Sequence, residues 1–587
     1  MKNESMNNDR RLSVGVVLLL AAMLLAACAG EIPKLILSNG ETETSNAADL
    51  LTTSSPAQTP LPDNATTAMR VRARGFLRVG VRYDLPPFGY ITEEGRVAGF
   101  DVDLGRELAR RWLGDAEAVQ FRQVRSDTAI EHLQAGDVDM IIAALTHEQG
   151  WEAGADFSLP YFVDGQALLV RVGDAAAIGG PADLAGRPVG ITRWGEAREP
   201  LEGRVPFTLT FQTYDRFDSV VAALGQGELD AVADLRRRLF GGARMLAEKG
   251  IETAIVGQYT TVPVALAFPQ NEPFFANLVN LTFQEMVADG TYTDLYVRWF
   301  AESPPPVERW PGEEVPVFAD APVVAGVPDT IAAIQSRGRL VVALPPDRSP
   351  FAYVDATGAP AGYEVGLVLL MAERWLGDAT AVDFVTAPVA SGKEMLRAGQ
   401  VDLLIGGLVH SRAAELEFDF SLTTYVAGEG LLVQAGTPIT NIRNLGGRQV
   451  AVVTGSASRE VLLAAAQNAG VSLTVAPQPT LEAAIASLTA GQVAAVAGER
   501  ADLLGPAYAT PGLGVLPLRL TQVPLALGLP QGDSAFRDLV NLTLQAMEAE
   551  GQLDALYASW FDDASPFLEI WPGAPYRALR LEAAGAP

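Results

Sequence analysis

The chain has 587 residues, of which 49% are hydrophobic and 19% charged, and its formal net charge at pH 7 is −27. This length exceeds what one hydrophobic core supports, so at least two domains are expected, and the negative charge argues against nucleic-acid partners. The single cysteine, Cys28, excludes an intrachain disulfide, and the three histidines have no metal-ligand spacing, so the sequence predicts no metal site and no cofactor.

The N-terminal residues 1–27 predict a signal peptide. Basic residues come first, the apolar run LSVGVVLLLAAMLLAA follows, and Cys28 ends it. The run has the length of a signal h-region, although an uncleaved membrane anchor is the alternative. The sequence Leu-Ala-Ala-Cys at 25–28 resembles the bacterial lipobox, which implies cleavage before Cys28 and a diacylglyceryl thioether on its sulfur. Residues 28–70 are rich in Ser, Thr, Ala, Asn and Pro and predict a flexible, lipid-anchored tether.

Most of the remaining chain consists of two tandem copies of one domain. RGFLRVGVRYDLPPFGY and RGRLVVALPPDRSPFAY align without a gap at an offset of 263 residues, which places Phe88 on Phe351. Near the ends of the copies, WPG recurs at Trp310 and Trp571, at an offset of 261. Internal repeats of this kind indicate repeated structural units. The predicted boundaries are copy 1 at 71–312, a linker at 313–329, copy 2 at 330–573 and a C-terminal tail at 574–587.

Within each copy, strand and helix patterns alternate. In copy 1, FLRVGV, AVQFRQV and VDMIIAAL predict strands, and DVDLGRELARRWLG and DTAIEHLQAG predict the helices between them. The alternation restarts at RPVGIT, DRFDSVVAALGQG and LDAVAD. It is typical of βα units with a largely parallel sheet, so each copy is expected to have two α/β lobes and a ligand cleft between them.

These residues resemble the bacterial extracellular solute-binding proteins of family 3, the amino-acid receptors of ABC importers. The resemblance rests on LRVGV, PPFGY, GFDVDLGRELARR, LQAGDVDMIIAALT and DFSLPY, and covers nearly all of each copy. It implies two tandem type II periplasmic-binding-protein domains, each with two α/β lobes and a hinge. The crossing strands would lie near QALLVRV and VPVALAFP in copy 1, and near EGLLVQA and VPLALGLP in copy 2.

The family's carboxylate-binding arginine is missing from both copies. The resemblance places it five residues before the DFS motif, where this chain has Trp151 and Ala414. Arg412 lies two residues early and is the candidate replacement in copy 2. Thr146 keeps the hydroxyl at the start of this turn in copy 1, whereas copy 2 has Val409.

Two further family devices are partly present. Backbone N–H groups at a helix start in lobe 2 are implied at Gly455 and Ser456 in copy 2. Copy 1 has Trp194 and Gly195 there, followed by Glu196.

The acid that receives the ligand ammonium corresponds to Glu499 in copy 2. Copy 1 has Leu235 at this position, with Asp234 one residue early as the candidate.

The incomplete clamp leaves two interpretations open. In one, the aromatic side chains of Phe88, Trp151 and Trp194 bind a flatter or cationic ligand. In the other, one or both copies have lost binding and act as scaffold. Packing is the competing role for each of these aromatics and for Phe351. Arg82 and Arg348 lie in a loop that lines the cleft in the family, so either is a candidate replacement cation for an acidic ligand, and an exposed loop arginine is the alternative.

The resemblance favours a lipid-anchored receptor without enzymatic activity that binds a small polar solute for an ABC importer. Its expected location is the outer face of the cytoplasmic membrane or the periplasm, and its expected partners are the solute and an importer permease. The alternatives are a ligand sensor or surface scaffold and, more remotely, a dehydratase-like enzyme on the same fold.

Overall fold

The computed structural model describes residues 61–62, 64–312, 326–561, 571–573 and 579–581. The predicted signal peptide, Cys28, and most of the predicted tether, linker and tail lie outside the described residues. The described residues of the two copies belong to one compact unit. Among the described helices, none is both long enough and apolar enough to cross a membrane.

Copy 1 begins with the helix Thr67–Arg74, inside the predicted tether. The prediction that the tether extends to residue 70 is therefore wrong at its last residues. Ala68 and Val71 are fully buried, and the Thr67 backbone N–H donates to Glu272 Oε2 at 2.7 Å. Copy 2 starts in the same way, because the Thr330 N–H donates to Asp533 Oδ2 at 2.9 Å.

Lobe 1 of copy 1 contains a five-stranded sheet, in which the strand that returns from lobe 2 runs antiparallel to its neighbours. In spatial order its strands are Val119–Gln123, Leu77–Val81, Met140–Ile141, Ala267–Phe268 and Asp156–Phe157. The three short strands beside it are Asp84–Leu85, Gly89–Ile91 and Val97–Ala98. Its helices are Thr67–Arg74, Phe100–Leu113, Ala129–Gln134, Pro273–Ala288 and Thr291–Phe300, with a 3₁₀ turn at Trp151–Ala153.

Lobe 2 of copy 1 contains a second five-stranded sheet. Its strands in spatial order are Thr210–Tyr214, Pro188–Thr192, Ala231–Leu235, Gln166–Arg171 and Thr253–Val256. Its helices are Arg198–Glu202, Phe217–Gln226 and Arg236–Ala247, with 3₁₀ turns at Val172–Asp174 and Pro181–Leu184. The paired strands Phe162–Asp164 and Val262–Val264 connect the lobes, next to the strands expected to cross.

Copy 2 repeats this arrangement. The strands of its lobe 1 are Leu340–Leu344, Val382–Thr386, Leu403–Val409, Asp419–Phe420, Tyr425–Ala427 and Val523–Leu529, with Asp347–Arg348, Ala352–Val354 and Pro360–Ala361 beside them. The helices of this lobe are Thr330–Arg337, Tyr363–Leu376, Val389–Arg397, Arg412–Glu415, Ser534–Ala549 and Gln552–Phe561.

Lobe 2 of copy 2 again has a five-stranded sheet. Its strands are Glu429–Gln434, Gln449–Val453, Thr474–Gln478, Ala495–Glu499 and Leu513–Val515. Its helices are Ser458–Asn468, Leu481–Thr489 and Arg500–Ala509, with a 3₁₀ turn at Ile442–Leu445.

Each sheet is covered by apolar side chains on its two faces. In lobe 1 of copy 1, Met140 and Ile142 join one buried cluster, and Ile141 and Ala143 join another. Successive strand residues point to opposite faces, so this alternation places a core on each side of the sheet. The predicted fold, two tandem domains of two α/β lobes each, is confirmed.

The copies pack against each other through reciprocal contacts. Trp310, near the end of copy 1, stacks on His410 of copy 2, and Trp571, near the end of copy 2, stacks on His147 of copy 1. Arg537 of copy 2 pairs with Asp156 of copy 1 at 2.8 Å. Each copy therefore covers part of the other copy's surface with its own side chains.

Candidate functional site: the interlobe clefts

One arginine crosses the cleft of copy 1. Arg237 lies in the first turn of the lobe 2 helix Arg236–Ala247, and its Nη1 donates to Thr146 Oγ1 of lobe 1 at 2.9 Å. The same guanidinium pairs with Asp164 Oδ2 at 3.0 Å, and the Arg237 backbone N–H donates to Asp164 Oδ1 at 3.0 Å. A cation from lobe 2 thus meets a hydroxyl and a carboxylate where the lobes join.

The hinge places Asp164 at this meeting point. Asp164 ends the connecting strand Phe162–Asp164, and Gly165 separates it from the lobe 2 strand Gln166–Arg171. A Cβ on Gly165 would lie 2.0 Å from the Thr260 carbonyl oxygen, so the crossing strands approach too closely for any other residue. Asp164 is fully buried, and burial raises the pKa of its carboxyl although Arg237 acts in the opposite direction.

Arg237 was missed by the sequence analysis, which looked for the cation in the DFS turn. Trp151, at the expected arginine position, begins the 3₁₀ turn Trp151–Ala153 and packs against the buried cluster that contains Ile130 and Leu133. The available signal was the run Arg236-Arg237-Arg238 directly after the LDAVADL strand, where a helix start at a sheet edge faces a cleft.

Sheet register decides which residue of copy 1 matches Glu499. Leu235 pairs with Gln166, and Glu499 pairs with the equivalent Glu429, so Leu235 occupies the acid position in copy 1. Asp234 precedes it. Its Oδ2 pairs with Arg238 at 2.9 Å and its Oδ1 accepts the Leu235 N–H at 2.8 Å, so this carboxylate is engaged within lobe 2.

Copy 2 lacks all three partners of the cross-lobe contact. The Arg236 N–H donates to Gly165 O in copy 1, and the Arg500 N–H donates to Gly428 O in copy 2, which fixes Arg236 and Arg500 as equivalents. The counterparts of Thr146, Asp164 and Arg237 are therefore Val409, Ala427 and Ala501. Loss of the hydroxyl, the carboxylate and the cation together indicates that the two clefts have different chemistry.

A buried carboxyl supports the cleft loop in each copy by a different route. In copy 1, the Ala144 N–H donates to the Tyr161 hydroxyl at 3.0 Å, and this hydroxyl donates to Asp101 Oδ1 at 2.9 Å. In copy 2, Glu364 Oε2 accepts the Gly406 and Gly407 N–H groups directly, at 2.5 and 3.0 Å. Burial raises the pKa of Asp101 and of Glu364 to about 7.

The two supports are related by compensating residues. Copy 2 has Thr424 where copy 1 has Tyr161, so the longer Glu364 replaces both the aspartate and the tyrosine hydroxyl. The held loop residue has a positive φ in each copy, 45° at Ala144 and 61° at Gly407. The carboxyl therefore stabilises a turn residue with positive φ, two positions before Thr146 or Val409.

The two phenylalanines predicted as candidate ligand contacts, Phe88 and Phe351, are both buried. Phe88 is fully buried among Phe100, Phe162 and Phe300, with centroid separations of 4.9 to 6.3 Å. Phe351 is buried against Tyr425 and Phe561. These contacts agree with packing, which was the alternative role for both phenylalanines.

The lobe 2 turn of copy 1 presents its aromatic ring to solvent. Trp194 is 86% exposed, so it is not packed against a lobe face. A Cβ on the neighbouring Gly195 would lie 2.4 Å from Thr192 Oγ1, which favours glycine in this turn.

Two of the predicted replacement arginines are engaged elsewhere, whereas the buried Nε of the third, Arg412, has no hydrogen-bond partner among the described residues. Arg82 Nε donates to Asp84 Oδ1 and its Nη1 donates to Ser126 Oγ, both at 2.7 Å. Arg412 is buried, and its backbone N–H donates to Pro311 O of copy 1 at 3.0 Å, which places its backbone at the contact between copies. Arg348 Nε donates to Gly406 O at 3.1 Å within lobe 1.

The candidate ligand groups of copy 2 form local contacts. Glu499 Oε1 accepts the Gly428 N–H of the hinge at 2.9 Å. Gly455 has a φ of 84°, and the Ser456 hydroxyl donates to Val453 O at 2.8 Å, so this turn is closed by its own side chain. Among the described residues, no hydrogen bond links Arg412 to Glu499, Gly455 or Ser456.

Two α/β lobes, two crossing strands and a polar cleft between the lobes define a type II periplasmic binding protein. The chain belongs to the family described as bacterial extracellular solute-binding proteins, family 3, whose model matches it twice, at residues 77–302 and 340–563. The predicted tandem duplication is thereby confirmed.

Individual relatives match about half of the chain or less. The chain is 28% identical over 295 residues to the ABC transporter glutamine-binding protein GlnH of Bacillus subtilis (strain 168), covering 50% of this chain and 97% of the relative. It is 28% identical over 233 residues to the L-cystine-binding protein TcyJ of Escherichia coli (strain K12), covering 39% and 85%. A solved structure of an ancestral arginine-binding protein bound to glutamine is 31% identical, covers 39% of this chain and 99% of its own, and has a TM-score of 0.30.

Proposed function

We propose that this chain is an extracytoplasmic receptor that binds an amino acid or a related small polar solute in the cleft of copy 1 and delivers it to an ABC importer. The observation that carries the proposal is the contact of Arg237 with Thr146 and Asp164 at the junction of the lobes. A guanidinium at this position is able to bind a ligand carboxylate in place of the arginine that the DFS turn lacks.

A zwitterionic solute suits these charges. Its carboxylate would take Arg237 from Asp164, and the released Asp164 carboxylate would receive the ligand ammonium. The exchange replaces one buried ion pair by two, so neither charge is left unpaired. Because Arg237 and Thr146 belong to different lobes, a ligand held between them would favour the closed arrangement by hinge motion.

Copy 2 is proposed to bind a different ligand or to serve as scaffold. It has Glu499, Gly455 and Ser456, but Val409, Ala427 and Ala501 replace the three residues that meet in copy 1. The apolar replacements remove the anion-binding and cation-binding groups at the same time.

Membrane attachment and transport complete the proposal. The lipobox-like sequence before Cys28 supports a lipid anchor, and the family supports an extracytoplasmic location. The relatives named for ABC transport support a permease partner and a binding role without catalysis.

The test is a thermal-shift and calorimetry screen of the full chain against the free amino acids, including glutamine and cystine. A specific ligand stabilises its copy by about 2.7 kcal/mol at a hundredfold excess over Kd. We expect R237M to abolish the shift, whereas R216M, which removes an exposed arginine paired with Asp218, keeps it. No shift with any solute would contradict the receptor proposal, and an equal shift in R237M would contradict the assignment to the cleft of copy 1.

A further inference from the structure

A cavity of about 480 Å³ lies between the two copies, outside both interlobe clefts. Equivalent residues from the two copies line it, including Ser158 and Asn280 from copy 1 and Ser421 and Asn541 from copy 2. Its volume falls in the range of small-molecule sites, which occur preferentially at domain interfaces. The walls come from both copies, so neither copy alone encloses the cavity.

Two aromatic stacks form part of the wall. The His147 ring lies between Phe157 of its own copy and Trp571 of copy 2, with centroid distances of 4.3 and 4.0 Å. The His410 ring lies between Phe420 of its own copy and Trp310 of copy 1, at the same two distances. All six rings line the cavity. Aromatic walls of this kind favour flat apolar groups and attract cations.

Carboxylates predominate among the charged groups of the lining. The acids are Glu152, Glu308, Glu415 and Asp419, and Arg537 is the one Lys or Arg among the described lining residues. Arg537 is already shared, since it lies 2.8 Å from Asp156 Oδ1 and 3.9 Å from Asp419 Oδ2. When its carboxyls are ionised, the cavity therefore disfavours an anion and favours a cation.

Glu152 provides an unsatisfied acceptor in this wall. Its side chain is only 3% exposed, and its Oε1 bonds to His147 Nε2. Its Oε2 is buried and has no hydrogen-bond partner among the described residues. A buried acceptor without a donor is costly, and Glu152 adds a carboxyl to the lining of the cavity.

We propose that this cavity is a third ligand site of the chain and that it binds a small organic cation, an amine with an aromatic or aliphatic body. The ammonium would lie among the carboxylates of the lining, Glu152 included. The apolar body would lie against the Trp–His stacks. The site is distinct from both clefts and does not depend on the function proposed for them.

Because carboxyls that line the cavity titrate, the pH dependence of binding provides a second test of the proposed site. Burial raises the pKa of Glu415 to about 8 and that of Asp419 to about 7, although Arg537 lowers both. Glu308 adds to the rise at Glu415, and Glu415 and then Asp156 add to the rise at Asp419. Burial also lowers the pKa of His410 to about 4, so this ring stays neutral. A bound cation favours the ionised carboxyls, so binding should release protons and strengthen as the pH rises from 6 to 8.

The test is isothermal titration calorimetry of the full chain with tryptamine, and with tryptophol as the neutral control that carries a hydroxyl in place of the amine. We expect tryptamine to bind at least tenfold more tightly than tryptophol, and to bind at least tenfold more tightly at pH 8 than at pH 6. These two comparisons use the unaltered protein, so they do not depend on the folding of any variant.

Variants locate the bound amine. E152Q should weaken tryptamine binding at least tenfold, and A276F, which fills the cavity from the helix Pro273–Ala288, should abolish it. The exposed E131Q is the matched control and should bind as the unaltered chain does. No heat with tryptamine, equal binding of tryptophol, or undiminished binding to both E152Q and A276F would overturn the proposal.

Discussion

Trp571 stacks on His147 with their ring centroids 4.0 Å apart, although the two residues belong to different copies. The neighbours of His147 face two directions. Thr146 accepts from Arg237 in the cleft, while the Gln149 N–H donates to Pro572 O of copy 2 at 3.0 Å. One short loop thus carries a cleft residue and the contact with the other copy, so the second copy supports the geometry of the first copy's cleft.

The reciprocal tryptophans should contribute strongly to stability. W571A and W310A each remove a buried indole that stacks on a histidine of the other copy, so each should lower the free energy of unfolding by about 3–5 kcal/mol. Urea unfolding followed by circular dichroism measures this. W194A, which removes an 86% exposed indole, is the control and should change stability by about 0.5 kcal/mol or less. If W571A matches W194A, the stack is not a stabilising contact in solution.

The sequence was sufficient for the features that repeat locally. The duplication follows from aligned letters such as those around Phe88 and Phe351, and the lobes follow from alternating strand and helix patterns. The contacts between distant segments could not be predicted in this way. Arg237 meets Asp164 because a hinge strand and a helix start lie side by side in space, and no spacing in the sequence encodes that distance.

Residue environments were equally hard to predict from the sequence. Trp151 and Trp194 carry the same side chain, yet one packs against a buried cluster and the other is exposed. WPG was recognised as a repeat, but nothing local indicated that each tryptophan contacts the other copy. Burial depends on tertiary packing, which a single sequence specifies only through patterns of period 2 or 3.6.

Removing Arg237 should destabilise the fold of copy 1 as well as weaken its ligand binding. R237M leaves the fully buried Asp164 carboxylate without its cation, and loss of one partner of a buried pair costs about 3–5 kcal/mol. Differential scanning calorimetry should show the lowered transition. R216M breaks an exposed pair and should change the same transition by less than about 1 kcal/mol. Equal transitions in the two variants would mean that the cross-lobe pair adds no stability.

In copy 1, the Tyr161 hydroxyl relays the hydrogen bond of the Ala144 N–H to Asp101, and this tyrosine relay gives a third prediction. Y161F deletes the hydroxyl that accepts from Ala144 and donates to Asp101, so it leaves two buried groups unsatisfied and should cost about 1–3 kcal/mol. Urea unfolding measures the loss. Y214F removes a hydroxyl whose partner, Gln212, is exposed, and should be close to neutral. A neutral Y161F would show that the relay does not hold the loop.

The proposed lipid attachment at Cys28 is tested by a change of location. C28A removes the thiol that the lipobox-like sequence would present for modification, so the protein should move from the membrane fraction to the soluble extracytoplasmic fraction. Fractionation of cells, followed by immunoblotting, measures the change. S38A, in the predicted tether, should remain with the membrane, and a C28A protein that also remains there would contradict the anchor.

Glu364 gives copy 2 a measurable pH dependence. Burial raises the pKa of Glu364 to about 7, against about 4.3 in an unfolded chain. The folded state therefore holds a proton that the unfolded state has released between these values, and the contribution to the free energy of unfolding is full below about pH 4 and is lost as the pH rises to 7. The total change from this group is about 4 kcal/mol.

The substitution E364Q should remove this contribution while keeping the fold. A glutamine oxygen is able to accept the Gly406 and Gly407 N–H groups as the carboxyl does, and it does not titrate. Urea unfolding from pH 4.5 to 7.5 should therefore show a shallower decline of stability in E364Q than in the unaltered chain. E394Q, at an exposed helix position, should keep the full decline. Parallel curves for E364Q and the unaltered chain would mean that Glu364 titrates in the folded protein as it does in the unfolded one.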